Sequence, residues 1–254
     1  MTKDLEGLSI IVPTYNEKDN IAFLLYLIKR YLFPLNIDYE IIVIDDSSPD
    51  GTAAVVDKLK QLLNLPLKLV KRPGKLGLGS SYIEGIRHSK YPLVLIMDAD
   101  LSHHPKYIPE MVSKYRKFGY DVVSGTRYAR GGGASNWPLS RILISKTLNF
   151  VCRVLFRPKF SDLTGSYRLY RKELLNSVIH KIYNKGFLFQ IEMALRCDRA
   201  NAAVGEVPIV FVERIYGSSK FGAFVFNSFH ANPFSGLSEV KRSVVGLSRL
   251  IWEF

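Results

Sequence analysis

The sequence contains little cysteine: Cys152 and Cys197 are the only two in 254 residues. Two cysteines supply neither a disulfide framework nor the ligand spacing of a structural zinc site. We therefore expect both to be small, buried apolar residues in a protein of a reducing compartment. The chain also does not open with a charged-then-apolar signal segment, which favours a protein that is made and kept in the cytosol.

Long hydrophobic runs are missing as well. The longest, residues 21–35, is interrupted by Lys29, Arg30 and Pro34. A helix that crosses a bilayer needs about 20 apolar residues. We expect an ordinary helix that faces the core, and a protein that does not span a membrane.

Acidic residues are scarce relative to basic ones. The chain has 35 Lys and Arg against 23 Asp and Glu, a formal net charge of +12. Within residues 127–171 the sole acid is Asp162, whereas the basic residues there are Arg127, Arg130, Arg141, Lys146, Arg153, Arg157, Lys159, Arg168 and Arg171. A charge concentrated in this way favours binding of nucleic acid, anionic lipid headgroups or a phosphorylated substrate, whereas general solubility would not require the concentration.

Apolar runs of strand length alternate with helical patterns along the first half of the chain. This alternation predicts a parallel, doubly wound sheet with helices on both faces. The predicted strands are 8–13, 39–44, 67–70 and 93–98, and the predicted helices are 17–31, 52–63, 77–88 and 105–118. Farther along we expect a strand at 121–125, a flexible loop at 131–133, a basic and apolar helix at 139–156 and a strand at 204–212.

Segment 93–100 is the most informative one, because an apolar run ends there in Asp98 and Asp100. Residues i and i+2 of extended backbone point the same way, so the two carboxylates are expected to converge where the strand leaves the sheet. Two hard oxygen donors at that edge suit a divalent cation that also holds phosphate oxygens. Taken alone, the pair fits a solvated loop rich in aspartate equally well.

Polar residues follow two more of the predicted strands, at 13–17 and at Asp45-Asp46. In an open parallel sheet the ligand lies outside the carboxyl ends of the strands, so three such loops predict a site. Asp46 would bond a base or ribose group, and Tyr15 would flank a ring. The alternative for Asp46 is a turn-forming role, since Ser47-Ser48-Pro49-Asp50-Gly51 follows.

The sequence evidence for dinucleotide binding and for metal binding by histidine is weaker. Segment 75–79, Lys-Leu-Gly-Leu-Gly, lacks the third glycine of a dinucleotide fingerprint and does not follow a strand directly, which excludes a Rossmann dehydrogenase. His103 and His104 follow the carboxylates, but a hard Mg²⁺ prefers oxygen, so we favour a structural role for both.

Seven motifs occur in order over about residues 8–222. They are Val12-Pro13-Thr14-Tyr15-Asn16-Glu17, Ile44-Asp45-Asp46-Ser47-Ser48-Pro49-Asp50-Gly51-Thr52, Lys75-Leu76-Gly77-Leu78-Gly79, Met97-Asp98-Ala99-Asp100-Leu101-Ser102-His103-His104-Pro105, Ser124-Gly125-Thr126-Arg127-Tyr128, Asp162-Leu163-Thr164-Gly165-Ser166-Tyr167-Arg168 and Gly205-Glu206-Val207-Pro208-Ile209. Together they closely resemble the dolichol-phosphate mannose synthase family. Its members are glycosyltransferases with the A-type nucleotide-diphospho-sugar fold, a mostly parallel sheet with helices on both faces.

The resemblance implies transfer of mannose from GDP-mannose to dolichyl phosphate, with Mg²⁺ or Mn²⁺ as the cofactor. Carried over by position, the residues that hold the guanosine are Pro13, Tyr15, Glu17, Ile44 and Asp46. Those that meet the diphosphate are Asp98, Ala99 and Asp100, with both carboxylates as metal ligands. Further donor contacts are Arg127, Arg214 and Lys220, and the acceptor phosphate matches Arg141 and Ser145. The implied catalytic residues are Asp98, Asp100 and Arg127.

The implied chemistry is coherent. Negative charge develops on the departing GDP, where a divalent ion and nearby Arg and Lys stabilise it. The nucleophile is a phosphate oxygen, already ionised near neutral pH, so no strong general base is required. The family inverts the anomeric centre, which suits in-line attack from the opposite face.

The resemblance also implies a location. The chain resembles the anchorless branch of the family, whose catalytic subunit is held at the cytosolic face of the endoplasmic reticulum membrane by small membrane partners. The product of that branch serves glycosylation and GPI-anchor synthesis. The apolar face of helix 139–156 would then lie among lipid headgroups; the alternative is that it covers the sheet. Trp137 fits either the core or the lipid interface.

The C-terminal part departs from the family pattern. The catalytic domain is expected at 1–222 and an extension at 223–254, in which 223–235 resembles an insertion before a terminal helix. Two other functions stay open. One is glucose transfer from UDP-glucose to the same lipid; the other, a basic nucleic-acid-binding protein, explains the charge but not the carboxylates, so we expect no nucleic-acid partner.

Overall fold

The computed structural model describes residues 7–186 and 188–213, and the expected extension at 223–254 lies outside them. The strands are β1 (Leu8–Thr14), β2 (Tyr39–Asp45), β3 (Leu67–Lys71), β4 (Leu93–Ile96), β5 (Val122–Thr126), β6 (Gly133–Ser135), β7 (Arg168–Arg171), β8 (Val204–Pro208) and β9 (Val210–Val212). The α-helices are α1 (Lys18–Leu32), α2 (Thr52–Leu62), α3 (Leu78–His88), α4 (Ile108–Phe118), α5 (Leu139–Phe156), α6 (Lys172–Val178) and α7 (Phe189–Arg199). Short 3-10 turns lie at Phe33–Leu35, Pro105–Tyr107 and Ile179–Lys181.

Seven strands form one sheet in the order β3-β2-β1-β4-β7-β5-β8. The pairs β1–β2, β1–β4, β2–β3 and β5–β8 are parallel, and only β7 runs antiparallel to its neighbours β4 and β5. Because β1 is parallel to both β2 and β4, these three strands end at the same edge of the sheet. The predicted mostly parallel sheet is confirmed.

Apolar side chains of the strands point alternately to the two faces of the sheet. Ile10 belongs to a core cluster with residues of α1 and α4 on one face, and Ile11 belongs to a second cluster with residues of α3 and α7 on the other. Each face is therefore covered by helices, and the central strands are buried on both sides, as their continuous apolar runs predict.

Three predicted boundaries were wrong. The expected strand 204–212 is two strands in different sheets, because the N–H of Ile209 makes the last bond to β5, at Thr126, and β9 then pairs with β6 instead. That pairing places Gly133 in a strand, where a flexible loop was expected at 131–133. The fourth strand ends at Ile96, so Asp98 belongs to the loop that follows.

The basic run between 127 and 171 does not form one continuous surface. Arg168 is 1% exposed. Its guanidinium donates to Ser124 Oγ and to three backbone carbonyls, those of Gln190, Asp162 and Leu163. Arg171 pairs with Asp121 instead. The prediction that all nine basic residues attract an anionic partner is therefore wrong for Arg168 and Arg171, whose charges are used within the fold.

Both cysteines are buried, as expected. Burial raises the pKa of the Cys152 thiol to about 11 and that of Cys197 to about 12. In the described part of the chain, no helix has the length and apolar character that crossing a bilayer requires.

Arg168→Met is predicted to lower the free energy of unfolding by about 3 kcal/mol or more, because it leaves several buried carbonyls without a donor. Arg171→Met, on the same strand, removes a partly exposed ion pair and should cost less than about 1 kcal/mol. Urea denaturation of the two variants measures the difference. Equal losses would show that Arg168 does not join β5, β7 and α7.

Candidate active site

Asp98 lies just beyond β4 and is held by hydroxyl groups. The Tyr82 hydroxyl donates to Oδ1 at 2.7 Å, and Ser166 Oγ lies 3.2 Å from Oδ2. Burial, together with the charge of Asp98, raises the pKa of Tyr82 well above its usual value, so Tyr82 remains a donor. Both partners are neutral, so they fix the carboxylate without cancelling its charge.

Asp100 is fixed by a tight turn. Its Oδ1 accepts the backbone N–H of Ser102 at 3.1 Å and the Ser102 hydroxyl at 2.5 Å. The turn places Leu101 at a φ of 64°, a left-handed conformation that costs a side chain with a Cβ about 1–2 kcal/mol. Such strain at the end of a strand, beside two carboxylates, is typical of a functional site.

The two histidines support the backbone of this loop. His103 Nδ1 accepts the backbone N–H of Asp98 at 3.1 Å, and its ring stacks on Tyr167 with centroids 4.9 Å apart. Burial lowers the pKa of His103, so the ring is neutral and its 3.6 Å approach to the Asp98 carboxylate is not an ion pair. His104 Nδ1 accepts the N–H of Lys106. Both rings have structural partners, which supports the structural role that we favour.

A divalent cation fits the Asp98–Asp100 pair. Residues 7–186 and 188–213 contain no group of three or more His, Cys, Asp or Glu side chains that would form an all-protein cage. Mg²⁺ is commonly bound by one or two carboxylates together with substrate phosphates and waters. A two-carboxylate site at the sheet edge therefore suits a cation that arrives with a diphosphate.

Asp46 lies at the end of β2, in a buried ion pair that the sequence did not reveal. Arg72 Nε donates to Asp46 Oδ1 at 2.6 Å, and Arg72 also donates to the hydroxyls of Ser80 and Ser81 on α3. The turn-forming role considered for Asp46 belongs to Asp45 instead, whose carboxylate accepts the N–H and hydroxyl of Ser48. Asp46 is thus held at the edge of the sheet.

The other predicted guanosine residues lie at the same edge. Pro13 is paired with Ile44 in the β1–β2 register, and the N–H of Asp46 donates to Thr14. Glu17 is 5% exposed, and its N–H donates to Thr52 Oγ1. Tyr15 is half-buried, with Lys75 Nζ 5.0 Å from its ring centroid. The structure therefore brings these predicted residues together at the ends of β1 and β2.

Arg127 follows β5 and forms a buried pair with Asp162. Its Nε and Nη2 each lie 2.7 Å from one carboxylate oxygen, and Nη2 also donates to Thr164. Burial favours the neutral acid, yet the Arg127 guanidinium holds the pKa of the Asp162 carboxyl below its usual value. The pair is therefore charged on both sides. Asp162 stood out in the sequence only as the lone acid of the basic run.

The predicted acceptor residues lie next to this pair. Arg141, in the first turn of α5, contacts both carboxylate oxygens of Glu213 through Nη1, at 2.9 and 3.1 Å. Its guanidinium carbon lies 4.0 Å from the ring centroid of Trp137, and that of Arg127 lies 5.0 Å from the same centroid. Ser145 Oγ is 2.7 Å from the Tyr128 hydroxyl. Predicted donor contacts Arg214 and Lys220 fall outside the described residues.

Comparison with known proteins identifies the family. The profile of Glycosyl transferase family 2 matches residues 9–179. The chain belongs to this family. It is 36% identical over 215 residues to polyprenol monophosphomannose synthase of Mycolicibacterium smegmatis, which covers 83% of this chain and 79% of that one. It is also 36% identical over 214 residues to an undecaprenyl-phosphate mannosyltransferase of Micrococcus luteus, with 83% and 85% covered.

Solved structures agree on the fold. Glucosyl-3-phosphoglycerate synthase from Mycobacterium tuberculosis, crystallised with Mn²⁺, UDP and phosphoglyceric acid, matches with a TM-score of 0.64 at 18% identity, covering 87% of this chain and 74% of that one. The same enzyme with Mg²⁺ and UDP gives a TM-score of 0.61 at 18% identity, covering 85% and 73%. This likeness concerns the fold alone, and the expected A-type glycosyltransferase fold is confirmed.

Asp162→Asn is predicted to lower the free energy of unfolding by about 3–5 kcal/mol, because it leaves the buried Arg127 guanidinium without a countercharge. Glu213→Gln is the matched control: it neutralises the partner of Arg141 in a partly exposed pair and should cost less than about 1 kcal/mol. Urea denaturation at pH 7 measures both. Similar losses in the two variants would contradict the conclusion that the buried Arg127–Asp162 pair stabilises the fold more than the partly exposed Arg141–Glu213 pair does.

Proposed function

We propose that this protein transfers mannose from GDP-mannose to a polyprenyl phosphate, with inversion at the anomeric carbon. The observation that carries the proposal is the fixed Asp98–Asp100 turn at the ends of parallel strands, with the Arg127 guanidinium close enough to interact electrostatically with Asp98. Two relatives at 36% identity are named for mannose transfer to a polyprenol or to undecaprenyl phosphate, which supports the sugar and the lipid class. Those names do not specify dolichol, so dolichyl phosphate is one proposed acceptor among polyprenyl phosphates.

The donor would lie along the carboxyl edge of the sheet. Pro13, Tyr15, Glu17, Ile44 and Asp46 are proposed to line the guanosine pocket. Asp46 is the polar group best suited to the base, because Arg72 holds it at the end of β2 and a carboxylate accepts from donor groups on a purine edge. The choice of GDP-mannose over UDP-glucose is part of the proposal.

Asp98 and Asp100 are proposed to hold Mg²⁺ or Mn²⁺, with Ala99 between them against the diphosphate. When bound, such a cation supplies positive charge against the departing nucleotide diphosphate. The protein's own part is to present two fixed carboxylates: Tyr82 and Ser166 orient Asp98, and Ser102 orients Asp100.

The acceptor phosphate is proposed to lie between Arg141 and Ser145, close to Arg127. Guanidinium groups match phosphate oxygens and would orient the lipid headgroup for attack. A phosphate oxygen needs no proton removed before it attacks, so this arrangement works without a general base. Arg214 and Lys220 are proposed as further donor contacts.

Helix α5 supports a membrane location. Its exposed side chains include Leu139 (84%), Leu143 (67%) and Phe150 (68%), whereas the residues it buries are the small or polar Ser145, Asn149 and Cys152. Cys152, Leu148 and Phe156 pack into the core on one face of the sheet, so both expected positions for this helix face apply, each to different residues. Exposed Lys146 and Arg153 suit anionic headgroups, so we propose that α5 lies on the bilayer that carries the acceptor.

The proposed site of action is the cytosolic face of the endoplasmic reticulum membrane, with small membrane-anchoring subunits as partners. The product, a polyprenyl phosphate mannose, would then serve glycosylation and GPI-anchor synthesis. A nucleic-acid partner is not proposed, because Arg127 and Arg168 of the basic run are buried and bonded within the fold.

Asp100→Ala is predicted to reduce mannosyl transfer at least about 100-fold, since loss of a cation ligand costs several kcal/mol of charge stabilisation. Asp57→Ala, on exposed α2, is the control and should retain wild-type turnover. Radiolabelled GDP-mannose, polyprenyl phosphate and Mg²⁺ or Mn²⁺ supply the assay, with UDP-glucose as the competing donor. Near-normal turnover of Asp100→Ala, or faster transfer from UDP-glucose in the wild type, would overturn the proposal.

Replacing both Leu143 and Phe150 by Asp is predicted to weaken binding to phospholipid vesicles at least about tenfold, because each buried apolar side chain contributes about 1.5–3 kcal/mol. Phe118→Asp, which changes an exposed side chain on α4, should leave vesicle binding unchanged. Sedimentation with vesicles that contain anionic lipid measures the effect. Unchanged sedimentation of the double variant would contradict the proposal that α5 binds the membrane.

A further inference from the structure

The indole N–H of Trp137 is buried without a hydrogen-bond acceptor among the described residues. An enclosed donor with no partner costs about 1–3 kcal/mol, and native interiors contain few of them. Trp137 stands in the segment between β6 and α5, next to the residues proposed for the acceptor. Its unpaired N–H therefore calls for a specific explanation.

The surroundings of Trp137 are cationic. Arg141 lies over the indole at 4.0 Å and Arg127 at 5.0 Å, measured from guanidinium carbon to ring centroid. Phe211 packs against the same ring at 5.2 Å. A guanidinium has donors but no acceptor, and a phenyl ring has neither. What the indole N–H lacks is an accepting oxygen, and the two neighbouring guanidinium groups favour an anionic one.

The two arginines differ in how firmly they are paired. Arg127 is bound to buried Asp162 through its side chain and its backbone N–H. Arg141 contacts Glu213 in a pair whose side chains are 18% and 28% exposed. Partly exposed pairs are weak, so an incoming phosphate with greater charge would displace Glu213 from Arg141 at little cost. The Glu213 carboxylate thus occupies the place beside Arg141 that a bound phosphate would take.

The start of α5 adds to this field. Pro138 is the N-cap and provides no side-chain hydrogen bond, and the first turn contains no acidic residue. The N–H groups and the dipole at the start of a helix attract anions. The same turn carries Arg141, so the charge of the side chain and the helix dipole act in the same place.

We propose that the Trp137 Nε1–H donates a hydrogen bond to an oxygen of the acceptor phosphate, in a pocket between Arg127 and Arg141. The proposal rests on the proposed function and adds a substrate-binding residue to it. It also decides between the two positions that the sequence left open for Trp137: the indole is neither a plain core residue nor a lipid anchor. The phosphate supplies the acceptor that residues 7–186 and 188–213 do not provide.

The decisive variant replaces Trp137 by β-(3-benzothienyl)alanine, which keeps the bicyclic shape and puts sulfur in place of the N–H. Trp137→Phe is the simpler version. We expect the KM for polyprenyl phosphate to rise about ten- to a hundredfold, as for the loss of one hydrogen bond to a charged group, with the KM for GDP-mannose unchanged. Equal effects on both KM values would indicate packing alone and overturn the proposal, as would an unchanged acceptor KM.

Fluorescence provides a reading that does not depend on turnover. The chain has two tryptophans, so Trp252→Phe leaves Trp137 as the single tryptophan, whose fluorescence is then followed. A short-chain isoprenyl phosphate should change its emission in a saturable way, and Arg141→Ala should abolish that change. Inorganic phosphate is the comparison probe: saturation by phosphate without any response to the isoprenyl phosphate would assign the pocket to a free anion and overturn the lipid assignment.

The two proposals fail in different ways. If the wild type transfers mannose to no polyprenyl phosphate, the proposed function is wrong. If the wild type is active but the benzothienyl variant uses the lipid with the same KM, only the role of Trp137 is wrong.

Discussion

The parallel pairing of β1 with both β2 and β4 is the constraint on which the rest of the structure depends. It brings the ends of three strands to one edge, so loops that are distant in sequence share a site. The register sets Thr14 beside Asp45 and leaves Asp98 just beyond β4. Buried apolar side chains on both faces fix that register, because a slip of one residue would move every side chain to the opposite face.

Charge at this edge is handled in two ways. Asp46 and Asp162 are each bound by a buried arginine, Arg72 and Arg127, so their negative charge is compensated within the fold. Asp98 is bound by neutral hydroxyl groups instead. An oriented carboxylate without a cationic partner is suited to binding a cation. The ion pairs Asp46–Arg72 and Asp162–Arg127 instead fix the positions of the side chains around it. In the proposed function, the same residue type serves recognition at one strand end and charge stabilisation at another.

The sequence predicted the parallel strands and the two carboxylates because continuous apolar runs and an Asp-x-Asp step are local patterns. It did not predict β7 or α7, since their buried polar residues, among them Arg168 and Glu192, resemble solvated ones until their partners are known. Arg72 was missed for the same reason: its three partners lie on other elements. Burial of a charge is a property of the tertiary structure and leaves no periodic signal in the sequence.

The central claim is that Asp98 and Asp100 hold a divalent cation against the nucleotide diphosphate. The most direct measurement is the binding of Mn²⁺, followed by electron paramagnetic resonance, with and without GDP. The account predicts one Mn²⁺ per chain, bound more tightly when GDP is present, and loss of GDP binding in EDTA. GDP binding that is equally strong in EDTA, with Mn²⁺ affinity unaffected by the nucleotide, would contradict it.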